Sequence, residues 1–528
     1  MWEAFGRGRL VDLRVSDPEA NNPAHADSWD ESRRVRAEVV AALLLGAVDP
    51  VAGCVPGVRL KGAVVEGRVD AGQGVVAYAA ELTGCCFIGG VLLAEARTRT
   101  VDFSGSVLET LDATAAEIGG NLTLDRCQAQ AISLGLAHIT GNLSLDGAHL
   151  TNPGKDALYA DLITVGGRVN CHDGFRVEGE VRLIGAHIIG DLSLDGAHLI
   201  NPRKDALSAD RIIVGGSVFC RDHFRVEGEV RLISAQLSAH LWLDGAQLTN
   251  PSRDALSGDG MTVGGGVFCQ EGFRAEGDVR LPGAHIDSQV VFRKAVLSNP
   301  GGLALDCESM EADSLWFDPV TVTGTVDLTS VRARVLHDDP DGWPGQMILD
   351  RFVYDDLRPY VAPRGPAGRL SWLEHAETSY RAQPYEQLAA YYRRLGHDRE
   401  ARQVLLAKQR RRRAEFGFLR KIFGYTLDGL VGYGYVPNRA FAWLVVLFTA
   451  GSVYFTLNRP APLDPTQHPH YQPVLYAADQ LIPVVNLGQA GIWAPAGAAQ
   501  WVAAALVALG WILVTAVVAG ITRVLTRT

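Results

Sequence analysis

A chain of 528 residues with 47% apolar residues and 57 glycines is too long for one compact core and is neither disordered nor collagen-like. Its formal net charge of −10 divides unevenly: residues 1–380 carry 33 basic and 52 acidic side chains, residues 381–528 carry 16 and 7. The acidic front excludes nucleic acid as its partner, and the basic back lies beside the most hydrophobic sequence, where anionic lipid attracts cations.

Residues 1–10, "MWEAFGRGRL", have no apolar run, so no secretory signal peptide is expected there. Residues 1–54 are expected to supply a capping helix. Within 30–48, "DESRRVRAEVVAALLLGAV", Val35, Val39, Leu43 and the neighbouring leucines are apolar at helical spacing.

Residues 55–335 repeat. The stretch "GRVNCHDGFRVEGEVRLIGAHIIGDLSLDGAHLINP" starting at 167 aligns with "GSVFCRDHFRVEGEVRLISAQLSAHLWLDGAQLTNP" starting at 216, a period of 49. Asn152, Asn201, Asn250 and Asn299, each before a proline, keep that period, as do Cys171, Cys220 and Cys269, and Gly147, Gly196 and Gly245. Apolar residues fall in short alternating clusters separated by Gly, Asp and Asn-Pro, with no helical period. Strands this short cannot form a stable sheet alone, but stacked turns pair each with its counterparts above and below. The expected fold is therefore mainly β: a right-handed β-solenoid with two turns per 49 residues and ten or more turns in all, its apolar positions inward. An N-terminal capping helix, a helical hairpin and a C-terminal two-span transmembrane module complete it.

The solenoid absorbs several reactive residue types. Cysteines 49 apart are two turns apart, beyond disulfide reach, and read as a core ladder. The adjacent Cys85 and Cys86 point to opposite faces of a strand, and paired spacings such as C-x-x-C are missing, so no metal is expected. His138, His187, His285, His149 and His198 read as outward strand residues. Asp146, Asp195 and Asp244, each before Gly-Ala, read as turn residues, and the Asn-Pro ladder as a corner.

Residues 336–383 read as the exit from the solenoid and a Pro/Gly-rich connector. Residues 384–420 read as a helical hairpin turning at Gly396, with Tyr385, Leu388, Ala389, Tyr392, Ala401, Val404 and Leu405 inward. Its basic run Arg410, Arg411, Arg412 and Arg413, with Arg420 and Lys421 beyond, reads as a surface for membrane headgroups. Residues 421–528 hold two stretches long enough for a ~30 Å hydrocarbon layer, 441–458 and 498–522. The cations flank these stretches and the loop between holds only Arg459, so both termini are expected in the cytoplasm of a multi-pass cell-membrane protein.

Residues 431–434, "VGYG", spell the core of a potassium-channel filter. They precede the first span, however, whereas a filter must sit between two spans behind a pore helix; here they read as an interfacial turn. The inter-span segment 474–493, "VLYAADQLIPVVNLGQAGIW", reads first as an interfacial helix and second as a pore element carrying Asp479, Asn486 and Gly488, with a short helix over residues 475–481 broken at Pro483.

The helix "VRAEVVAALLLGA", turns of the "GDLSLDGAHL" type, the hairpin "PYEQLAAYYRRLGHDREARQVLLAKQRRRR", and the segments "YGYVPNRAFAWL" and "LYAADQLIPVVNLGQAGIW" together resemble a family of actinobacterial membrane proteins related to pentapeptide-repeat solenoids. The resemblance covers nearly the whole chain and implies both the solenoid and the two-span module. Members are often labelled membrane-associated oxidoreductases, so it also implies that activity. The residues themselves show no G-x-G-x-x-G opening a βαβ unit, no redox C-x-x-C and no C-x-x-C-H, and no cofactor is expected from them. They favour a membrane-anchored scaffold holding a protein partner on the solenoid face. A homo-oligomeric two-span pore comes second and an enzyme third.

Overall fold

The computed structural model describes residues 1–339, 342–359, 365–376, 380–415, 425, 437–464, 466, 470–482 and 484–525. The chain divides into two compact units, residues 1–364 with 371–378, and residues 365–370 with 379–528.

The first unit is a parallel β-solenoid of about 13 turns. A typical turn contributes three strands, such as His187–Ile188, Leu192–Ser193 and His198–Ser208. The first two columns belong to one 23-stranded sheet and the third to a 16-stranded sheet. Glycine pairs make the corner between the first two columns: a Cβ on Gly215 would lie 2.3 Å from the Ile189 carbonyl oxygen of the previous turn, and one on Gly216 2.2 Å from Asp191 Oδ1. Where the pair ends, after Gly265, the two short strands fuse into the single strand His285–Arg293.

The period of 49 resolves into unequal turns. His149 pairs with Arg176 and Arg176 with His198, so turns of 27 and 22 residues alternate. The Asn-Pro ladder is not a corner. It forms a loop that bulges from the third-column strand: Thr151 and Asp156 pair with Glu178 and Glu180, leaving Gly179 alone opposite four residues. Each asparagine closes its own loop, Asn201 Nδ2 donating to the Asp205 carbonyl at 2.6 Å and Asn250 Nδ2 to that of Asp254 at 2.6 Å. The next turn must pass beneath without a side chain. Gly228 does so at φ 132°, where a Cβ would lie 2.6 Å from the Asn201 carbonyl oxygen. Asparagine appears here because its amide caps the loop, not because it turns a corner.

The interior is apolar and built in columns. Phe175, Phe224 and Phe273, one per 49 residues, are fully buried, as are nearly all of Cys171, Cys220 and Cys269. The repeated acids hold turns together: Asp195 Oδ1 accepts the backbone N–H of Arg221 in the next turn at 2.7 Å, and Asp146 Oδ1 that of His172 at 3.2 Å. His138, His187, His285 and His149 are exposed and His198 is half-buried.

Parallel pairing reaches beyond 55–335 at both ends. Val11–Asp12 pairs with Val58–Lys61, and Arg34–Arg36 with Val64–Glu66, so the N-terminal segment supplies the first turn. The cap is shorter than the sequence predicts. Helix α1, Ala37–Leu44, buries Ala37, Val40, Ala41, Leu43 and Leu44, while Val35 lies in a strand. At the other end Val353–Pro359 still pairs with Arg332–Asp338. There Trp343 stacks on Phe317 at 4.3 Å between ring centroids and donates Nε1–H to Asp338 at 2.8 Å, with the Trp372 ring 5.6 Å away. These indoles cover the end of the column that cysteine, leucine and phenylalanine fill elsewhere.

All eight cysteines are unpaired, Cys54 exposed and Cys86 half-buried. Burial pushes the Cys85 thiol up to about 11 and the Cys127 thiol up to about 12, and raises Cys171, Cys220, Cys269 and Cys307 further. A thiolate is the reactive form, so a water-soluble disulfide reagent at pH 8 is expected to titrate Cys54 rapidly and Cys86 slowly in the folded protein. The other six should react only on denaturation. Rapid reaction of Cys220 before unfolding would contradict the core ladder.

In the second unit α2, Gln383–Arg394, and α3, Asp398–Ala414, form the expected hairpin, with Tyr385, Leu388, Ala389, Tyr392, Ala401, Val404 and Leu405 buried. Gly396, at φ 75°, ends α2. Its N–H reaches the Arg393 carbonyl and that of His397 reaches Tyr392, the paired bonds of a Schellman C-terminus.

Candidate functional site

The outward side chains of the solenoid stack in columns as its inward ones do. In the second column Ser193 is followed, turn by turn, by Phe219, Trp242, Phe268, Val291, Trp316 and His337. Trp242 and Phe268 stack with centroids 4.1 Å apart and planes 11° apart, and Trp316 and His337 at 3.6 Å and 8°. His240 sets its ring edge-on to both Trp242 and Phe268, and the Arg221 guanidinium lies 4.6 Å over Phe219. Adjacent outward aromatics gain about 0.5–1.5 kcal/mol per pair beyond burial. The signal was present in the repeat alignment: Phe219 and Phe268 replace Asn170, and Trp242 replaces Ser193.

The third column carries charge. Arg231 lies within 4 Å of Asp205, Asp210 and Glu229, and Arg182 repeats the arrangement one period earlier with Asp156, Asp161 and Glu180. Arg280, one period later, meets Asp254 and Asp259 but takes Asp306 of the next turn as its third partner. Burial raises Glu180 and Glu229 above the usual carboxylate range, against hydrogen bonds donated by Ser208 at 2.6 Å and Ser257 at 2.7 Å. Every member has a partner within the ladder, so the ladder binds turn to turn. Among the described residues no group of three or more His, Cys, Asp or Glu side chains is placed to hold a metal ion.

Of the basic run, Arg410, Arg411 and Arg412 are exposed at the end of α3, and the Arg413 guanidinium lies 3.9 Å from the Tyr425 ring centroid. Arg420, Lys421 and the "VGYG" of 431–434 lie outside the described residues.

Among the described residues two helices are long and apolar enough to cross a membrane: α4, Pro437–Leu457, and the later Ala498–Leu525. Only 17% of the apolar window of the first and 28% of the second are buried, whereas the core helix of a soluble protein is mostly buried. Between them lies α5, Pro473–Leu481, and the second long helix is α6. Ala440 shares a core with Leu513, Leu506 reaches within 3.0 Å of a Cβ built on Gly451, and Phe455 shares a core with Ala503. Helices α4 and α6 therefore run antiparallel.

Helix α5 does not lie across the ends of this pair but packs alongside both long helices. Ala477 Cβ is 3.5 Å from a Cβ built on Gly451, and the Leu481 carbonyl oxygen only 2.0 Å from one built on Gly510. At ~1.5 Å rise per residue, Gly510 lies about 18 Å along α6 from its start, the middle of the apolar stretch 498–522. Two glycines, one on each long helix, thus leave room for a short helix to descend between them. The chain then returns, and Pro462 pairs with Trp493. Around that strand pair Tyr471, Tyr476 and Trp493 pack together, Tyr471 donates its hydroxyl to the Phe455 carbonyl at 2.8 Å, and the Arg459 guanidinium lies 5.2 Å from both the Tyr471 and Trp493 ring centroids.

Asp479, Asn486 and Gly488 come together on this descent and return. The Asp479 carboxylate accepts the backbone N–H groups of Leu487 at 2.8 Å, Gln489 at 2.8 Å and Ala490 at 2.6 Å, and Asn486 Oδ1 accepts that of Gly488 at 2.9 Å. Asp479 is thus the post to which the return segment is tied. Pro483 lies outside the described residues. Comparison with protein-family models, with curated proteins and with solved structures found no match.

Proposed function

We propose that the chain is a membrane-anchored scaffold whose β-solenoid presents a fixed face to a protein partner. The observation that carries this reading is the half-buried outward column of Phe219, Trp242, Trp316 and His337, with Phe268 buried in the stack against Trp242, on a backbone whose every turn is fixed by its neighbours. Large aromatics held rigid lose little conformational entropy on binding and are typical anchors of interfaces. The exposed apolar helices α4 and α6 supply the anchor, and the arginines of α3 add attraction to anionic headgroups, about 1 kcal/mol for each cation near the surface. The cation distribution favours cytoplasmic termini, and with them a cytoplasmic solenoid carrying reduced thiols. The resemblance to the actinobacterial solenoid family agrees with this pairing of modules; its oxidoreductase label stays a third reading, tested by the absorbance spectrum of the purified protein.

The test has two arms. Carbonate washing of membranes should leave the full chain in the pellet, and affinity capture from cross-linked cells should lose its main partner in Trp242→Ser with Trp316→Ser while circular dichroism stays unchanged. Release by carbonate would defeat the anchor; unchanged capture would defeat the aromatic face. Changing Arg410, Arg411 and Arg412 to glutamine should weaken binding of the detergent-free protein to phosphatidylserine vesicles by about tenfold or more at 0.1 M salt, with little change on neutral vesicles. A second reading, a pore formed by the inter-span segment, is favoured by the depth of α5 alongside Gly510.

A further inference from the structure

The return segment 484–490 has no regular structure, and it is held at the level of Asp479, between the points where α5 meets Gly451 and Gly510. Val484 is 73% exposed, and Val485, Asn486, Leu487 and Gly488 are exposed as well. Among the described residues, no hydrogen bond is made to the carbonyl oxygens of Val484, Val485, Asn486, Leu487 or Gly488. In water such a loop would be ordinary. In hydrocarbon each unsatisfied carbonyl costs several kcal/mol, and irregular backbone occurs at membrane depth only where protein covers it or it lines a water-filled cavity. The described residues of a single copy offer neither on that side.

We infer that copies of this chain assemble in the membrane with segment 484–490 turned towards a shared, water-filled axis, which its carbonyl oxygens line. The inference rests on the membrane-spanning and pore readings above and goes beyond them by naming the occupant, a second copy, and the lining. The ligand is a cation with its hydration water. Carbonyl dipoles present their negative ends to the axis, and Asp479, which could otherwise act as a charged lining group, is engaged by three backbone donors. Asn486 and Gln489 add the polar side chains of the segment. A two-span hairpin with a descending helix cannot enclose a passage alone; symmetric copies around one axis can.

The experiment uses the full chain with Cys54→Ser, which removes the exposed thiol, and single cysteines at Val484 or at Val446, which faces outward from α4 at 53% exposure. In carbonate-washed membranes, copper phenanthroline should convert V484C, but not V446C, to a disulfide dimer. A charged methanethiosulfonate reagent should block V484C at least tenfold faster than V446C. Native mass spectrometry from nanodiscs should give a closed oligomer, and vesicles holding it should pass potassium, not chloride. Retention in the membrane with a monomeric mass and no V484C dimer overturns the assembly while leaving the anchor standing. Loss from the washed membrane overturns both. An oligomer whose V484C is inert to the charged reagent overturns the water-filled axis.

Discussion

Phe224→Ala is expected to remove about 3–5 kcal/mol from the stability of the turns around it, the full cost of an aromatic ring lost from a closed core. Phe224 is completely buried, and the positions one period away are Phe175 and Phe273, also completely buried. Neighbouring turns are held by paired backbones and cannot close on the cavity, so relaxation is limited. Each turn contacts only its neighbours, so the damage should be local. Hydrogen exchange of the intact protein should show lost protection over residues 199–250, with turns near Leu122 little changed. Uniform loss along the solenoid would mean that it melts as one body.

Gly510→Leu should be as severe in the second unit. A Cβ there would lie 2.0 Å from the Leu481 carbonyl oxygen, a contact no rotamer relieves because both atoms are fixed by backbone. Overpacking of this kind costs about 3 kcal/mol, and the expected response is that α5 leaves its place between α4 and α6. Exchange protection of the Leu487, Gln489 and Ala490 amides, which depends on Asp479, should fall together with that of residues 476–481. The solenoid should be untouched. Unchanged protection at those three amides would show that α5 tolerates displacement from Gly510.

Much of the solenoid was legible because repetition amplifies weak signals. A single cluster such as Val218 with Cys220 says little, but its recurrence as Val267 with Cys269 marks an inward face. The hairpin was legible for a different reason: its stripe from Tyr385 to Leu405 needs no partner outside two adjacent helices. What escaped was whatever depends on the turn above or below. The Asn-Pro loop looks like a corner in isolation, and only the bare backbone of Gly179 and Gly228 beneath it shows that it bulges from a strand. The solenoid also continues to Pro359 through strands whose partners replace the earlier repeat pattern, so periodicity faded before pairing did. Likewise Asp479, Asn486 and Gly488 could be placed between two apolar stretches, but their depth follows from Gly451 and Gly510, glycines unremarkable in helices rich in alanine. The aromatic column was visible only by asking where the repeats disagree.

The unequal turns also govern how such a chain can lengthen. A turn bearing an Asn-closed loop fits only over a turn that offers a bare glycine beneath it, as Asn201 fits over Gly228. Removing one 22-residue turn would bring two looped turns into contact, each presenting side chains where the other needs none. Duplication or loss is therefore tolerated in whole pairs. A 49-residue insertion at the Gly215 and Gly216 corner would extend the rod by about 9.6 Å, two strand spacings, and return every outward column to its original face. Internal duplication could thus have built the rod without disturbing what its two ends already carried.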